Sequence, residues 1–218
     1  MERVYSEILR HKLIIICRKV YGDHLLRFTE TLCREGIRLL EVTFDQSDEA
    51  ALDKTGNAIR LLKREFGDAM VIGAGTVMTP EHVEATVQSG GSFIVSPNVD
   101  CTVIQKAKDL GLVSIPGAMT PSEIVQAYQT GADYVKLFPA ASLGLGYAKA
   151  ILAPISHIPL IATGGINEHN LADYLGLGFA GAGIGSCIAD RKLIAAGEMK
   201  ELARRAAKMI EIARREAR

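Results

Sequence analysis

The sequence predicts an α/β fold, a (β/α)8 TIM barrel with an extra N-terminal helix, on three observations. Eight short apolar runs rich in Val and Ile recur along the chain, helical patterns fill the gaps, and glycines mark the passage from helix to strand. Strand–helix alternation forces parallel pairing through right-handed crossovers, which leaves an open doubly wound sheet or a closed barrel. Eight units in 218 residues, about 27 residues each, favour the barrel, whose size range starts at roughly 200 residues. Composition shows no break, so residues 1–218 are expected to form one domain.

The first element is a helix over residues 2–11, expected to close the N-terminal mouth of the barrel. Strands follow at 13–18, 39–44, 71–76, 93–97, 113–118, 134–139, 159–166 and 181–186. Several lack polar alternation, as parallel strands buried on both faces do. Thr79-Pro80-Glu81 reads as a helix start, with a capping residue, Pro at the first helical position and an acid in the first turn. Thr120-Pro121-Ser122-Glu123 repeats it and adds a capping-box Glu. Gly36, Gly67, Gly90-Gly91, Gly111, Gly131 and Gly178 precede strands, where a left-handed helix end is expected. Residues 191–218 carry 9 Lys and Arg against 4 Glu. Glu201/Arg205 and Glu211/Arg215 at i,i+4, with Leu202, Met209 and Ile212 as an apolar stripe, make this a solvated amphipathic final helix rather than a nucleic-acid arm.

Charge narrows the function. With 25 Lys and Arg against 25 Asp and Glu, the chain has no general attraction to nucleic acid or anionic lipid, so an anionic ligand must be held locally. The cysteines Cys17, Cys33, Cys101 and Cys187 form no C-x-x-C pair, and the histidines His11, His24, His82, His157 and His169 fall in helices or loops without metal-ligand spacing. No metal site and no disulfide framework are expected. The run Leu13–Cys17 is far shorter than a membrane span or a secretory apolar segment. A cytoplasmic protein with reduced thiols is the expectation. Gly73-Ala74-Gly75-Thr76 fails as a dinucleotide loop because Met78 stands where the third glycine belongs.

In barrels of this kind chemistry sits at the C-terminal ends of the strands. Among the polar residues there, Glu41 in Leu39-Leu40-Glu41-Val42-Thr43 and Lys136 in Tyr134-Val135-Lys136-Leu137-Phe138 stand out, since a lone buried charge is costly. Either the two form a buried ion pair that fixes packing, or Lys136 is a Schiff-base nucleophile with Glu41 moving protons. The second reading needs the apolar wall to disfavour the ammonium form. Strands seven and eight end in Thr163-Gly164-Gly165-Ile166-Asn167 and Gly183-Ile184-Gly185-Ser186. Loops after these two strands often bind phosphate, with Gly baring backbone N–H groups; alternatively the glycines only make tight turns.

Leu40-Glu41-Val42-Thr43, Ile72-Gly73-Ala74-Gly75-Thr76-Val77, Ile94-Val95-Ser96-Pro97, Ile115-Pro116-Gly117, Val135-Lys136-Leu137-Phe138-Pro139 and Thr163-Gly164-Gly165-Ile166 together resemble, in order and spacing, the 2-keto-3-deoxy-6-phosphogluconate (KDPG) and 4-hydroxy-2-oxoglutarate (KHG) aldolase family. The likeness spans nearly the whole chain. It implies a metal-independent, cofactor-free class I aldolase that cleaves KDPG to pyruvate and glyceraldehyde 3-phosphate, and KHG to pyruvate and glyoxylate. The same mechanism on the 6-phosphogalactonate epimer is an alternative; a phosphate-binding barrel without catalysis is another. By resemblance Lys136 is the Schiff-base lysine and Glu41 the general acid/base. Thr76, Pro97, Phe138 and Thr163 line the pyruvate end, and Gly164, Gly165, Gly185 and Ser186 hold phosphate. A homotrimer is implied as well. One position departs: a branch of the family has an arginine four residues after the glutamate, where this chain has Asp45, which would repel a substrate carboxylate. Arg18 is expected to bind that carboxylate instead, unless a salt bridge to Asp45 or Glu41 occupies it.

Overall fold

The computed structural model describes residues 1–216; Ala217 and Arg218, the end of the expected final helix, lie outside it. The elements run α1 Glu2–His11, β1 Leu13–Cys17, α2 Gly22–Glu35, β2 Leu39–Thr43, α3 Ala51–Phe66, β3 Val71–Gly75, α4 Pro80–Gln88, β4 Phe93–Val95, α5 Cys101–Asp109 and β5 Val113–Ile115. Then come β6 Gly117–Ala118, α6 Pro121–Gln129, β7 Val135–Leu137, α7 Ala140–Ile155, β8 Leu160–Thr163, α8 Leu171–Gly176, β9 Gly181–Ile184, α9 Arg191–Ala196 and α10 Met199–Arg215.

All strand pairs are parallel, in the order β5-β4-β3-β2-β1-β9-β8-β7-β6. The fifth expected strand splits at Pro116, which has no N–H to give a ladder. Ser96 N donates to Ile115 O (3.1 Å) on one side, and Lys136 N donates to Pro116 O (2.8 Å) on the other. The chain thus changes partners at the proline. Asp133 N also donates to Ser114 O (3.0 Å), which closes the barrel between β5 and the approach to β7.

A strand turns alternate side chains to opposite faces, and here the two faces make two cores. Inside, Ile14, Leu39, Val71, Phe93, Val113, Tyr134 and Ile161 pack together under Val4 and Ile8 of α1, so the extra helix plugs the N-terminal mouth as expected. Outside, Ile15, Leu40, Ile72, Ile94, Val135 and Ala162 meet the helix ring. Both helix starts read from the sequence form: Thr79 accepts from His82 N, and Thr120 with Glu123 makes the full capping box.

Two local readings are corrected. Gly67 keeps a right-handed conformation (φ −58°), because its helix end does not need the left-handed turn made at Gly36, Gly90, Gly111, Gly131 and Gly178. The final segment is two helices, since Gly197 at φ 73° ends α9 before α10 starts. Leu202, Ala206, Met209, Ile210 and Ala213 are the buried stripe of α10, which packs on α2 and α8. Ile212 is only partly buried, one position off that stripe.

Candidate active site

Period-two alternation places the two conspicuous charges. Glu41 lies two residues after inward-facing Leu39, and Lys136 two after inward-facing Tyr134, so both enter the barrel one layer above the plug. Glu41 is 2% exposed and Lys136 5%. The layer has room because its neighbours are small. A Cβ on Gly75 would stand 2.3 Å from Glu41 Oε1, and Gly73 is the β3 residue paired with Glu41.

The ion-pair alternative is not what the fold builds. Among the described residues Lys136 and Glu41 form no salt bridge with each other or with any other group. Lys136 Nζ instead lies 4.7 Å from the centre of the Phe138 ring. Burial pushes the Lys136 amine below its ordinary pKa, opposed by the Glu41 charge and assisted by Arg18. Burial pushes Glu41 up to about 7, although Lys136 and Arg18 both pull it down. Each group is therefore drawn toward the range where it exchanges protons near neutrality.

The mouth above them opens into a cavity of about 890 Å³, lined by Arg18, Phe138, Thr163, Gly164, Gly165, Gly185 and Ser186 among others. Seven of the expected site residues thus share one space. Thr76 and Pro97 are half-buried and do not line it. Thr76 follows β3 in a left-handed conformation (φ 55°), its carbonyl taken by Gln46 Nε2 at 3.2 Å. The Thr163 hydroxyl is buried beside Gly183, where a Cβ would stand 2.6 Å away, and has no hydrogen-bond partner among the described residues.

The glycine loop is turned with its donors free. Gly164 O accepts from Ala141 N (3.0 Å), and Gly165 O accepts from Asn167 Nδ2 and Asn170 Nδ2 (3.1 Å each). The N–H groups of Gly164, Gly165 and Ser186 donate to no described residue. Gly164 and Gly165 have φ of 92° and 77°, so a side chain at either would be strained. Such a row of bare N–H groups suits an anion. The two asparagines that brace the loop were not singled out in the sequence, because their partner is a carbonyl and not a side chain.

Arg18 is exposed, lines the cavity and forms no ion pair with a described residue. The expected competitor Asp45 is held by Lys19 at 2.8 Å, and the Lys19 and Ser47 hydrogen bonds hold its carboxyl at about 2. Lys19, which sequence reasoning passed over, therefore offsets the charge that made Asp45 a concern. It does so from a left-handed position (φ 55°) just after β1. The histidines stay out of the cavity, no metal-binding group occurs among the described residues, and the four cysteines are free.

Comparison with known proteins bears on the family and the fold. The family model described as KDPG and KHG aldolase matches residues 4–205. The chain is 34% identical over 212 residues to the 2-dehydro-3-deoxy-phosphogluconate aldolase of Haemophilus influenzae, covering 97% of each. It is 35% identical to the 2-dehydro-3-deoxy-6-phosphogalactonate aldolase of Escherichia coli, covering 80% of this chain and 82% of the relative. Among solved structures, the KDPG aldolase of Legionella pneumophila, with pyruvate captured as a covalent carbinolamine, superposes with a TM-score of 0.83 at 28% identity, covering 93% of this chain and 96% of the other. The family-model match over most of the chain, together with a relative 34% identical along nearly its full length, places this chain in the KDPG and KHG aldolase family.

Proposed function

We propose that this protein is a class I aldolase that cleaves a 2-keto-3-deoxy sugar acid into pyruvate and an aldehyde, with Lys136 as the Schiff-base nucleophile and Glu41 as the general acid/base. The observation that carries this reading is the buried Lys136 amine, unpaired among the described residues and in contact with the Phe138 ring that lines the substrate-sized cavity, with Glu41 buried in the same barrel layer. A lysine that serves packing is paired; one that serves chemistry is kept free and shifted toward its neutral form.

The sequence of steps follows from the groups present. The neutral Lys136 amine attacks the C2 ketone, and loss of water from the carbinolamine gives an iminium. Glu41 takes the C4-hydroxyl proton as the C3–C4 bond breaks, and the bonding electrons pass to the iminium, leaving an enamine and the aldehyde. Glu41 then returns a proton to C3, and water releases pyruvate from Lys136. One carboxylate serves every step because the steps follow one another.

Arg18 binds the substrate carboxylate in this reading, with Thr76, Pro97, Phe138 and Thr163 around the pyruvate portion. The free N–H groups of Gly164, Gly165 and Ser186, with Gly185 between them, receive the phosphate. KDPG is the substrate, with KHG as the unphosphorylated counterpart; the similarity to a 6-phosphogalactonate aldolase supports the C4 epimer as a further substrate. A single domain assembled as a homotrimer in the cytoplasm completes the proposal. No described helix is long and apolar enough to cross a membrane.

Incubation with pyruvate and borohydride, then intact mass and peptide mapping, tests the mechanism. A stable adduct on Lys136 is expected. An unmodified protein, or an adduct elsewhere, removes the Schiff-base reading and leaves the non-catalytic barrel.

A further inference from the structure

The far end of the cavity holds charges that the aldol steps leave unused. Asp190, Arg191 and Lys192, at the entry to α9, line it together with Ser186. Asp190 closes the end of α9 itself: Oδ1 accepts from Lys192 N (2.9 Å) and Leu193 N (3.3 Å). Those donors are spent. The α9 entry thus adds a carboxylate, not free N–H groups, to the wall of the phosphate end.

A phosphate seated on the N–H groups of Gly164, Gly165 and Ser186 shares its cavity with that charge. Arg205 comes within 3.8 Å of Asp190 Oδ2, but it also donates to Glu201 (2.8 Å) and to Cys187 O (3.2 Å). Arg191 and Lys192 are exposed and form no ion pair with a described residue. The balance of charge at this end of the cavity therefore turns on these two side chains.

We propose that Arg191 and Lys192 set the preference of this site for a phosphorylated over an unphosphorylated 2-keto-4-hydroxy acid, by outweighing Asp190. The inference rests on the aldolase reading above and adds its specificity determinant. A phosphate monoester carries between one and two negative charges at neutral pH, and Arg191 adds a planar fork suited to its oxygens. KHG ends in a carboxylate one carbon short of the phosphate-bearing position. It gains little from Arg191 and Lys192, and Arg18 and Lys136 serve it as they serve KDPG.

Initial-rate kinetics on the full chain with Arg191→Gln and Lys192→Gln combined, using KDPG and KHG, tests the proposal. KM for KDPG is expected to rise about tenfold with kcat held, the signature of lost ground-state binding, while kcat/KM for KHG stays within about twofold. Raising salt should weaken KDPG binding to wild type more than to the variant. Asp190→Asn keeps a good helix cap but removes the charge, and is expected to lower KM for KDPG. Equal losses on both substrates, or an unchanged preference, overturn the proposal. Failure of the aldolase reading shows separately, as wild-type protein that yields no pyruvate–borohydride adduct on Lys136.

Discussion

The two ends of the barrel each bury a carboxylate and treat it in opposite ways. At the closed end Asp133 accepts from Ser114 N (2.7 Å), Tyr5 Oη and Lys108 Nζ, and its side chain is 5% exposed. At the open end Glu41, as deeply buried, has no hydrogen bond or ion pair to a described residue. Burial raises the pKa of Glu41 to about 7. A satisfied buried charge locks architecture, here α1 against β5 and α5. One without a protein partner is left for a substrate or a proton to engage. The molecule concentrates polar satisfaction where it must be rigid and withholds it where it must react.

Replacing Lys136 by Met probes this contrast most severely. Turnover is expected to fall by on the order of 10⁴-fold or more, since the covalent intermediate cannot form. Stability should rise by roughly 1–3 kcal/mol, because an unpaired buried amine becomes an apolar side chain. The Lys136 pKa is lowered on folding, so its share of stability increases as pH rises from the folded pKa toward 10.5. Denaturant melts of the variant at several pH values should lose that increase. A Lys136→Met protein less stable than wild type would mean that the lysine holds the fold.

Glu41→Gln comes next. Turnover should drop by about 10²–10⁴-fold while pyruvate still reaches Lys136. Removing the carboxylate takes away the charge that favours the ammonium, so Lys136 should become reactive toward reductive methylation at lower pH than in wild type. The sign for stability is the reverse of the lysine's. Glu41 ionises at about 7 in the folded chain against 4.5 ordinarily, so wild type loses stability as pH rises through that window, and Gln should abolish the loss. A flat wild-type profile there would place a hidden partner beside Glu41.

The smallest effect on chemistry belongs to the closed end. Asp133→Ala leaves the Ser114 N–H, on a residue 1% exposed, without its acceptor. A loss of roughly 1–3 kcal/mol in urea unfolding is expected, with kcat near wild type in the folded fraction. If kcat fell as steeply as for Glu41→Gln, the two ends would not be separate in role.

Much of this was legible along the chain, and the exceptions have physical reasons. Glu41 and Lys136 stood out as charges in apolar strands, and period two turned that into a position inside the barrel. The break at Pro116 was less visible, because a proline ends a ladder only once both flanking partners are known. Gly197 is hidden as a break because the apolar and charged spacings of the final segment fit a single helix. The role of Asp133 leaves no trace along the chain, because its partner Tyr5 is 128 residues away.

The sequence by itself determined the alternation of strand and helix, the residues that could carry chemistry, and the family to which they belong, since all of these follow from local spacing and residue type. Tertiary structure decided which charges pair. Lys19 rather than Arg18 takes Asp45, nothing described takes Lys136, and Asp190 turns inward on its own helix. The reason is that pairing depends on distances of a few ångströms between residues brought together only when the barrel closes, and no pattern along the chain records them.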